Sequence, residues 1–207
     1  MPAAKVDEEA VVEAGAVGGG AASSGVLMRA AATCFMWASV SLGYYGVGMT
    51  TPDIGIKDDV WNWIYGFSVE LPAYAAAPFV VETCLGRKWS VSFAYIIGGF
   101  CLLALLKLEA GTTPYITCYF VGRAGIAYAF ASIYVWFSEL FPTETRQRFM
   151  ALASLFGRCA SMGSPWVAKV SDSGHFNLAM AIVAVPCVIS GLIGLLFLPE
   201  TRGKAMD

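Results

Sequence analysis

Six long apolar runs constrain the fold of this chain most strongly. Each approaches or exceeds the roughly 20 residues that an α-helix needs to cross a bilayer. A segment in lipid must satisfy its own backbone N–H and C=O groups, which a helix does and an isolated strand does not. We therefore predict an all-α membrane protein with six transmembrane helices, at about residues 27–49, 60–82, 89–107, 114–138, 149–171 and 177–198.

The composition agrees with a membrane protein and argues against a soluble domain. Hydrophobic residues make up 57% of the chain and charged residues 14%, whereas soluble domains carry about 25% charged residues. The net charge of −2 does not indicate a nucleic-acid partner. The six cysteines are scattered, which favours buried free thiols over a disulfide framework or a metal site.

The two ends of the chain differ from this apolar region. Residues 1–25 are acidic and rich in glycine and alanine, which predicts a flexible tail. No basic segment precedes an apolar core there, so a signal peptide is not indicated. We assign residues 26–199 to the six-span domain and residues 200–207 to a short cytoplasmic tail.

The basic residues in the connections predict the orientation in the membrane. Eight lie on one side, namely Lys5, Arg29, Arg87, Lys88, Arg146, Arg148, Arg202 and Lys204. Three lie on the other, namely Lys57, Lys107 and Lys169. Cytoplasmic loops carry the excess of lysine and arginine. This bias predicts that both termini are cytoplasmic.

Two charged residues fall near the middle of predicted spans. Glu70 in the second run and Arg158 in the fifth lie roughly 14–15 Å from the start of their runs at helical rise. An arginine at such depth costs about 2.5–3.5 kcal/mol, so these residues usually face a bundle interior or a watery cavity. Two interpretations follow: a structural ion pair, or a pair with which a charged ligand competes.

Other polar residues add candidates for a cavity and for its closure. Arg123 lies next to a glycine in the fourth run, and small residues allow close helix contact beside a water-lined groove. Tyr44 and Tyr45 lie near the outer end of the first run, where they fit an interfacial belt or a cavity wall. Glu139 and Arg146 flank a proline-containing turn, across which they can contact each other or the Arg87 turn.

As a set, several segments resemble the major facilitator superfamily. They are SELFPTETRQR after a span that begins GRAG, the GRK turn after the second run, and the terminal PETRGK. Within that superfamily the chain is most similar to organic cation/anion transporters. The segments GYYGVGM, VELPA, VGRAGIA and ELFPTETRQ resemble sequences in the matching spans of those carriers. The resemblance covers about residues 30–205. It implies the C-terminal half of such a carrier, spans seven to twelve, built as a 3+3 inverted repeat.

The resemblance also implies roles for individual residues. The substrate cavity would comprise Tyr44, Tyr45, Glu70, Tyr74, Arg123 and Arg158. A cytoplasmic gate that closes the inner side would comprise Glu82, Arg87, Glu139, Arg146, Glu200 and Arg202. The position of Arg158 resembles an arginine in anion carriers and an aspartate in cation carriers. Because a fixed cation attracts an organic anion and repels an amine, the substrate expected is a small organic anion.

Two positions depart from the pattern of those carriers. Tyr74 occupies a place where anion carriers have a lysine, so a second positive charge is absent. The acid expected four residues before the arginine of the GRK turn is replaced by Thr83, and Glu82 lies one residue early. This shift predicts a looser gate.

The six runs correspond to half of a twelve-span carrier, in which substrate binds between two halves. Three interpretations follow: a truncated product, a half-carrier that pairs with itself or with another half, or a structural subunit of a larger membrane complex. In the first two, the partners are lipid, an organic ion and an N-terminal half, and transport is secondary or facilitative because no ATP motif is present. The usual location of the family is the plasma membrane, with an organelle membrane as the alternative. We expect neither an enzyme nor a cofactor, since the sequence lacks a metal set, a phosphate-binding glycine loop and an activated nucleophile.

Overall fold

The chain folds into helices that form six rods. A computed structural model describes residues 19–50, 59–83 and 85–203. Over this part of the chain every regular element is a helix: α1 (Gly19–Met49), α2 (Asp59–Ser68), α3 (Glu70–Val81), α4 (Gly86–Ala104), α5 (Thr113–Leu140), α6 (Thr143–Ser161), α7 (Ser164–Asp172) and α8 (Phe176–Phe197). Helices α2 and α3 follow each other as rod 2, and α6 and α7 as rod 5. The other four helices are rods 1, 3, 4 and 6, which confirms the predicted all-α fold.

The breaks in rods 2 and 5 coincide with prolines. Pro165 lies in the first turn of α7, where a missing backbone N–H disturbs no bond of α7 itself. It cannot, however, donate to the carbonyl of Ser161, so the hydrogen-bond ladder of α6 ends there. Pro72 stands in the same relation to Ser68, the last residue of α2. The break in rod 5 was not predicted.

Four segments of the described chain are long and apolar enough to cross a membrane by length and composition. They are Gly25–Met49, Trp63–Val81, Thr113–Leu140 and Phe176–Phe197. Rods 3 and 5 complete the bundle with more polar first turns, because α4 begins at GRK and α6 at TETRQR. The segment FPTETRQR, which we predicted as a connection, is therefore helical from Thr143 onward.

The packing of the rods repeats after three rods. Rod 1 contacts rods 4, 5 and 6, rod 4 contacts rods 1, 2 and 3, and rods 3 and 6 contact each other. If rods 1, 2 and 3 exchange numbers with rods 4, 5 and 6, the same set of contacts results. The start of rod 3 lies beside the ends of rods 4 and 6, so rod 3 runs opposite to both. Equivalent rods of the two triplets therefore run in opposite directions, as an inverted repeat requires.

Small residues allow the rods to approach closely, as is typical of helix contacts in membranes. A Cβ atom on Gly99 of α4 would lie 2.6 Å from a methyl group of Val188 and 3.0 Å from the carbonyl oxygen of Ala184, both on α8. Between α4 and α1, the buried Tyr95 hydroxyl donates a 2.7 Å hydrogen bond to the Met36 carbonyl. Rod 3 is thereby fixed to both neighbours.

Some predicted features lie outside the described residues. These are most of the N-terminal tail (residues 1–18), the first connection with Lys57 (residues 51–58), Cys84, and Lys204 in the C-terminal tail. The structure does describe the last part of the predicted tail, where helix α1 begins at Gly19. It also describes the five other cysteines, all as free thiols.

Candidate functional site

A buried ion pair joins rods 2 and 4. Glu70 is the first residue of α3, and its carboxylate accepts hydrogen bonds from the guanidinium of Arg123 on α5, at 2.8 Å from Nε, with Nη2 at 2.6 Å. Only 4% of Glu70 and 5% of Arg123 are exposed. Removing either charge from solvent is costly. The attraction between the two charges offsets part of this cost, so the pair can be buried together.

Aromatic side chains complete the surroundings of this pair. The Tyr44 hydroxyl donates a 2.7 Å hydrogen bond to the second carboxylate oxygen of Glu70. Arg123 donates through Nη1 to the Tyr119 hydroxyl at 3.1 Å and lies 4.6 Å from the ring centroid of Phe67, a cation–π contact. The five residues come from three different rods, so the cluster depends on the assembled bundle.

Gly66 lies beside the Arg123 guanidinium, at a distance where a Cβ atom would make ordinary van der Waals contact. A Cβ atom there would lie 3.4 Å from Nη1 of Arg123. Tyr74, one turn after Glu70 on α3, is half-buried and close enough to Tyr44 to interact with it electrostatically. Three of the predicted cavity residues, Tyr44, Tyr74 and Arg123, therefore meet at Glu70.

Arg158 is not the partner of Glu70, contrary to both of our interpretations, which paired these two residues. Depth along the helices placed both near the middle of their spans, but Glu70 faces α5, where Arg123 satisfies it. Arg158 is exposed on α6, and none of the ion pairs among the described residues includes it. Its charge is thus available to a ligand or to a partner.

Arg158 lines a small open cavity between rods 1, 4 and 5. The cavity has a volume of about 150 Å³, and its walls include Trp37, Ser41, Tyr45, Tyr134, Ser154 and Arg158. The side chain of Tyr45 is 43% exposed and that of Tyr134 is 46% exposed. The cavity therefore combines a cation, hydroxyl groups and aromatic rings on a surface that other rods of the chain leave uncovered.

A row of aromatic rings connects this cavity with the buried pair. Trp37 contacts Tyr134 edge-to-face at 4.6 Å between ring centroids, and Tyr134 contacts Phe130 in the same manner at 5.8 Å. Phe130 stacks on Tyr44 at 5.1 Å, and Tyr45 packs against both. Since Tyr44 binds Glu70, the two polar clusters are joined by direct contacts.

A second cluster lies at the end of the bundle where rod 3 begins and rods 4 and 6 end. Arg87 forms an ion pair with Glu82 at 2.7 Å and another with Glu139 at 3.2 Å. Glu139 also accepts a hydrogen bond from the Thr201 hydroxyl. The early position of Glu82, from which we predicted a looser gate, does not prevent contact with Arg87.

Glu200 has a role that the sequence did not suggest. Its carboxylate accepts hydrogen bonds of 3.0 Å from the backbone N–H groups of Arg87 and Lys88, so it caps the first turn of α4 from another rod. Gly86 is necessary for this contact: its φ of +70° disfavours other residues, and a Cβ would lie 2.6 Å from the Glu200 carboxylate.

The remaining predicted gate residues lie at the edge of this cluster. The Arg146 guanidinium lies 3.5 Å from the Thr143 hydroxyl within α6. Arg202 is exposed, and its backbone N–H donates to Glu200. Three residues of these clusters were not predicted from the sequence, namely Tyr119, Phe67 and Thr201. The spacing of four residues between Tyr119 and Arg123, which places both on one helix face, was the available signal for the first.

Comparisons with known proteins agree with this architecture. The family model for sugar (and other) transporters matches residues 25–207. Human solute carrier family 22 member 13 is 33% identical over 172 residues, which cover 83% of this chain and 30% of that protein. Human organic cation/carnitine transporter 2 is 29% identical over 174 residues, and organic cation transporter 1 of Caenorhabditis elegans is 27% identical over 179 residues, each over 83% of this chain.

The chain spans only 29–30% of the length of these relatives. The match nevertheless extends over nearly all of the six rods and over both polar clusters. These relatives are named as carriers and none is named as an enzyme. The chain therefore belongs to the sugar (and other) transporter family of the major facilitator superfamily, with organic cation and organic cation/carnitine transporters among its relatives.

Proposed function

We propose that this chain is the C-terminal half of a secondary or facilitative carrier and that the carrier transports small organic anions by alternating access. The observation that carries this proposal is the exposed Arg158 in an aromatic-lined cavity, without an ion-pair partner among the described residues. The remainder of the carrier would come from an N-terminal half that covers the open side of the cavity.

The charge balance around the cavity supports an anion. Arg123 is neutralised by Glu70 at hydrogen-bonding distance, so this pair adds no net charge. Arg158 adds one positive charge that is not balanced within the described cavity wall. A carboxylate about 4 Å from this guanidinium gains roughly 1–4 kcal/mol, and a quaternary amine loses a similar amount, depending on how much water is present. The missing lysine at Tyr74 leaves Arg158 as the cation of the site.

The rings beside Arg158 favour an anion with an aromatic or otherwise flat apolar part. Tyr45 and Tyr134 present partly exposed rings on the cavity wall, and Trp37 forms its base. Ring-on-ring contacts contribute about 0.5–1.5 kcal/mol beyond area burial. The serine hydroxyls at Ser41 and Ser154 supply donors for a second oxygen of the ligand.

The cluster at Arg87 is suited to a gate. Its ion pairs join rods 3 and 4, and Thr201 and Glu200 add the end of rod 6. Alternating access requires contacts at one end that form in one state and separate in the other. We place this end and both termini in the cytoplasm and the carrier in the plasma membrane, in agreement with the positive charge in these turns.

Binding of a fluorescent organic anion tests the proposal without requiring the other half. The full chain in lipid nanodiscs is titrated into carboxyfluorescein, and anisotropy reports binding. We expect Arg158→Gln to weaken binding about tenfold, equivalent to about 1.4 kcal/mol, and Arg158→Lys to weaken it less. Arg148→Gln is the matched control, because Arg148 is an exposed arginine of the same helix that does not line the cavity.

Transport is then measured in proteoliposomes that contain the chain alone or together with the separately expressed first half of a relative. Uptake of carboxyfluorescein that is lost in Arg158→Gln supports the carrier. Binding that is equal in Arg158→Gln and Arg148→Gln would refute the role of Arg158. Stable co-purification with unrelated membrane subunits, together with no flux in either preparation, would favour a structural subunit instead.

A further inference from the structure

The contact between α4 and α5 is close enough for backbone to touch backbone. A Cβ atom on Gly98 would lie 3.2 Å from the Gly122 carbonyl oxygen, and one on Gly125 would lie 3.1 Å from the Cα atom of Gly98. Glycine at all three positions permits this close approach of the two helices. Arg87 at the start of α4 pairs with Glu139 at the end of α5, so the two helices are antiparallel.

Two cysteines occupy the next position along this contact. One turn beyond Gly98 on α4 is Cys101, and one turn before Gly122 on α5 is Cys118. Because the two helices are antiparallel, one turn forward on α4 and one turn back on α5 move in the same direction along the contact. The register therefore places the two cysteines opposite each other. The two thiols are close enough to interact electrostatically, in agreement with this register. Both residues are partly exposed and reduced, in contrast with the buried Cys34 and Cys187.

We propose that Cys101 and Cys118 form a redox-active dithiol site that closes to a disulfide between rods 3 and 4 on reaction with a peroxide. A disulfide requires Cα atoms about 4.4–6.8 Å apart. The close backbone contact one turn away brings α4 and α5 toward such a separation. The site uses no residue of the Arg158 cavity, so it does not depend on the proposed function.

The reaction balances with hydrogen peroxide as the oxidant. One cysteine thiolate attacks a peroxide oxygen, the O–O bond breaks, and sulfenic acid and hydroxide form. The second thiolate then attacks the sulfenic sulfur, the S–O bond breaks, and a second hydroxide leaves. Each hydroxide takes up one of the two thiol protons, so the products are one disulfide and two water molecules. A dithiol reductant reverses the change by thiol–disulfide exchange.

The cross-link would join the two triplets of rods. Rod 3 ends the first triplet and rod 4 begins the second. An ion pair between these two rods, Arg87–Glu139, lies at the opposite end of the same two helices. Oxidation would therefore fix the end near the connection 105–112, whereas the ion pair holds the other end. The site would restrict relative movement of the triplets when peroxide is present.

Thiol counting by mass spectrometry tests the proposal on the full chain in nanodiscs. The protein is treated with hydrogen peroxide, alkylated with N-ethylmaleimide and digested. We expect alkylation to be lost at two of the six cysteines together, with one linked peptide that joins positions 101 and 118 and a mass lower by two hydrogen atoms. Dithiothreitol should restore both labels.

Serine variants distinguish this pair from general oxidation. Cys101→Ser and Cys118→Ser should each eliminate the linked peptide. Cys159→Ser should retain it, because Cys159 is an exposed cysteine on α6, away from the contact. Full alkylation at both positions after peroxide treatment, or independent oxidation of each to sulfinic acid without a linked peptide, would overturn the proposal.

Discussion

Neutralising one partner of the Glu70–Arg123 pair should destabilise the bundle far more than neutralising an exposed acid. Glu70→Gln preserves the shape of the side chain and its hydrogen bond with Tyr44, but leaves Arg123 charged and 95% buried without a counter-charge. Opposite charges about 3 Å apart attract by roughly 5 kcal/mol at an effective dielectric constant of about 20. Breaking one partner of such a pair costs about 3–5 kcal/mol.

The free energy of unfolding of each variant can be measured by titration with sodium dodecyl sulfate in mixed micelles, with tryptophan fluorescence as the signal. We expect Glu70→Gln to lower it by about 3–5 kcal/mol. Glu109→Gln is the matched control, because Glu109 is exposed in the connection between α4 and α5. It should change the free energy by less than about 0.5 kcal/mol.

A double-mutant cycle separates the interaction from the cost of either substitution. Replacing both residues, as Glu70→Gln with Arg123→Gln, removes both buried charges and allows the two amides to bind each other. The double variant should therefore be more stable than the sum of the single effects predicts, by about 1–3 kcal/mol. Strictly additive effects, or a Glu70→Gln cost equal to that of the Glu109 control, would refute the reasoning.

Substitutions of single glycines by alanine test the Glu200 cap on α4 and the cavity beside Arg158. Gly86→Ala should lower the free energy of unfolding by about 2–3 kcal/mol, because it adds backbone strain and displaces the carboxylate cap of α4. Gly203→Ala, with a similar φ of +72° but open space around its Cβ, should cost about 1 kcal/mol. Gly157→Ala places a Cβ against Trp37 and should weaken carboxyfluorescein binding severalfold in the anisotropy assay. Gly48→Ala, whose Cβ meets open space, should leave binding unchanged.

The apolar runs predicted the rods well because length and apolarity are local properties of the sequence. All six runs contain a rod, and most ends agree within a few residues. The start of rod 5 was placed six residues late, at 149 instead of Thr143. The charged residues of TETRQR appeared incompatible with a span, yet they form the first turns of a helix at the end of the bundle.

The pairing of charges was less predictable, because the sequence gives depth along a helix but not the direction in which a side chain points. Glu70 and Arg158 share a depth, yet Arg123 on a third rod is the partner of Glu70. The cap that Glu200 forms on α4 is equally distant in sequence. Both contacts depend on how the rods pack, which the period of the apolar residues does not determine.

The contact of Glu200 with α4 also constrains the order in which the protein is built. This acid follows rod 6, whereas the N–H groups that it satisfies belong to rod 3. During synthesis, the backbone N–H groups in the first turn of rod 3 therefore lack this acceptor until the last rod has been inserted. The bond can form only when all six rods are in place, so it marks completed assembly.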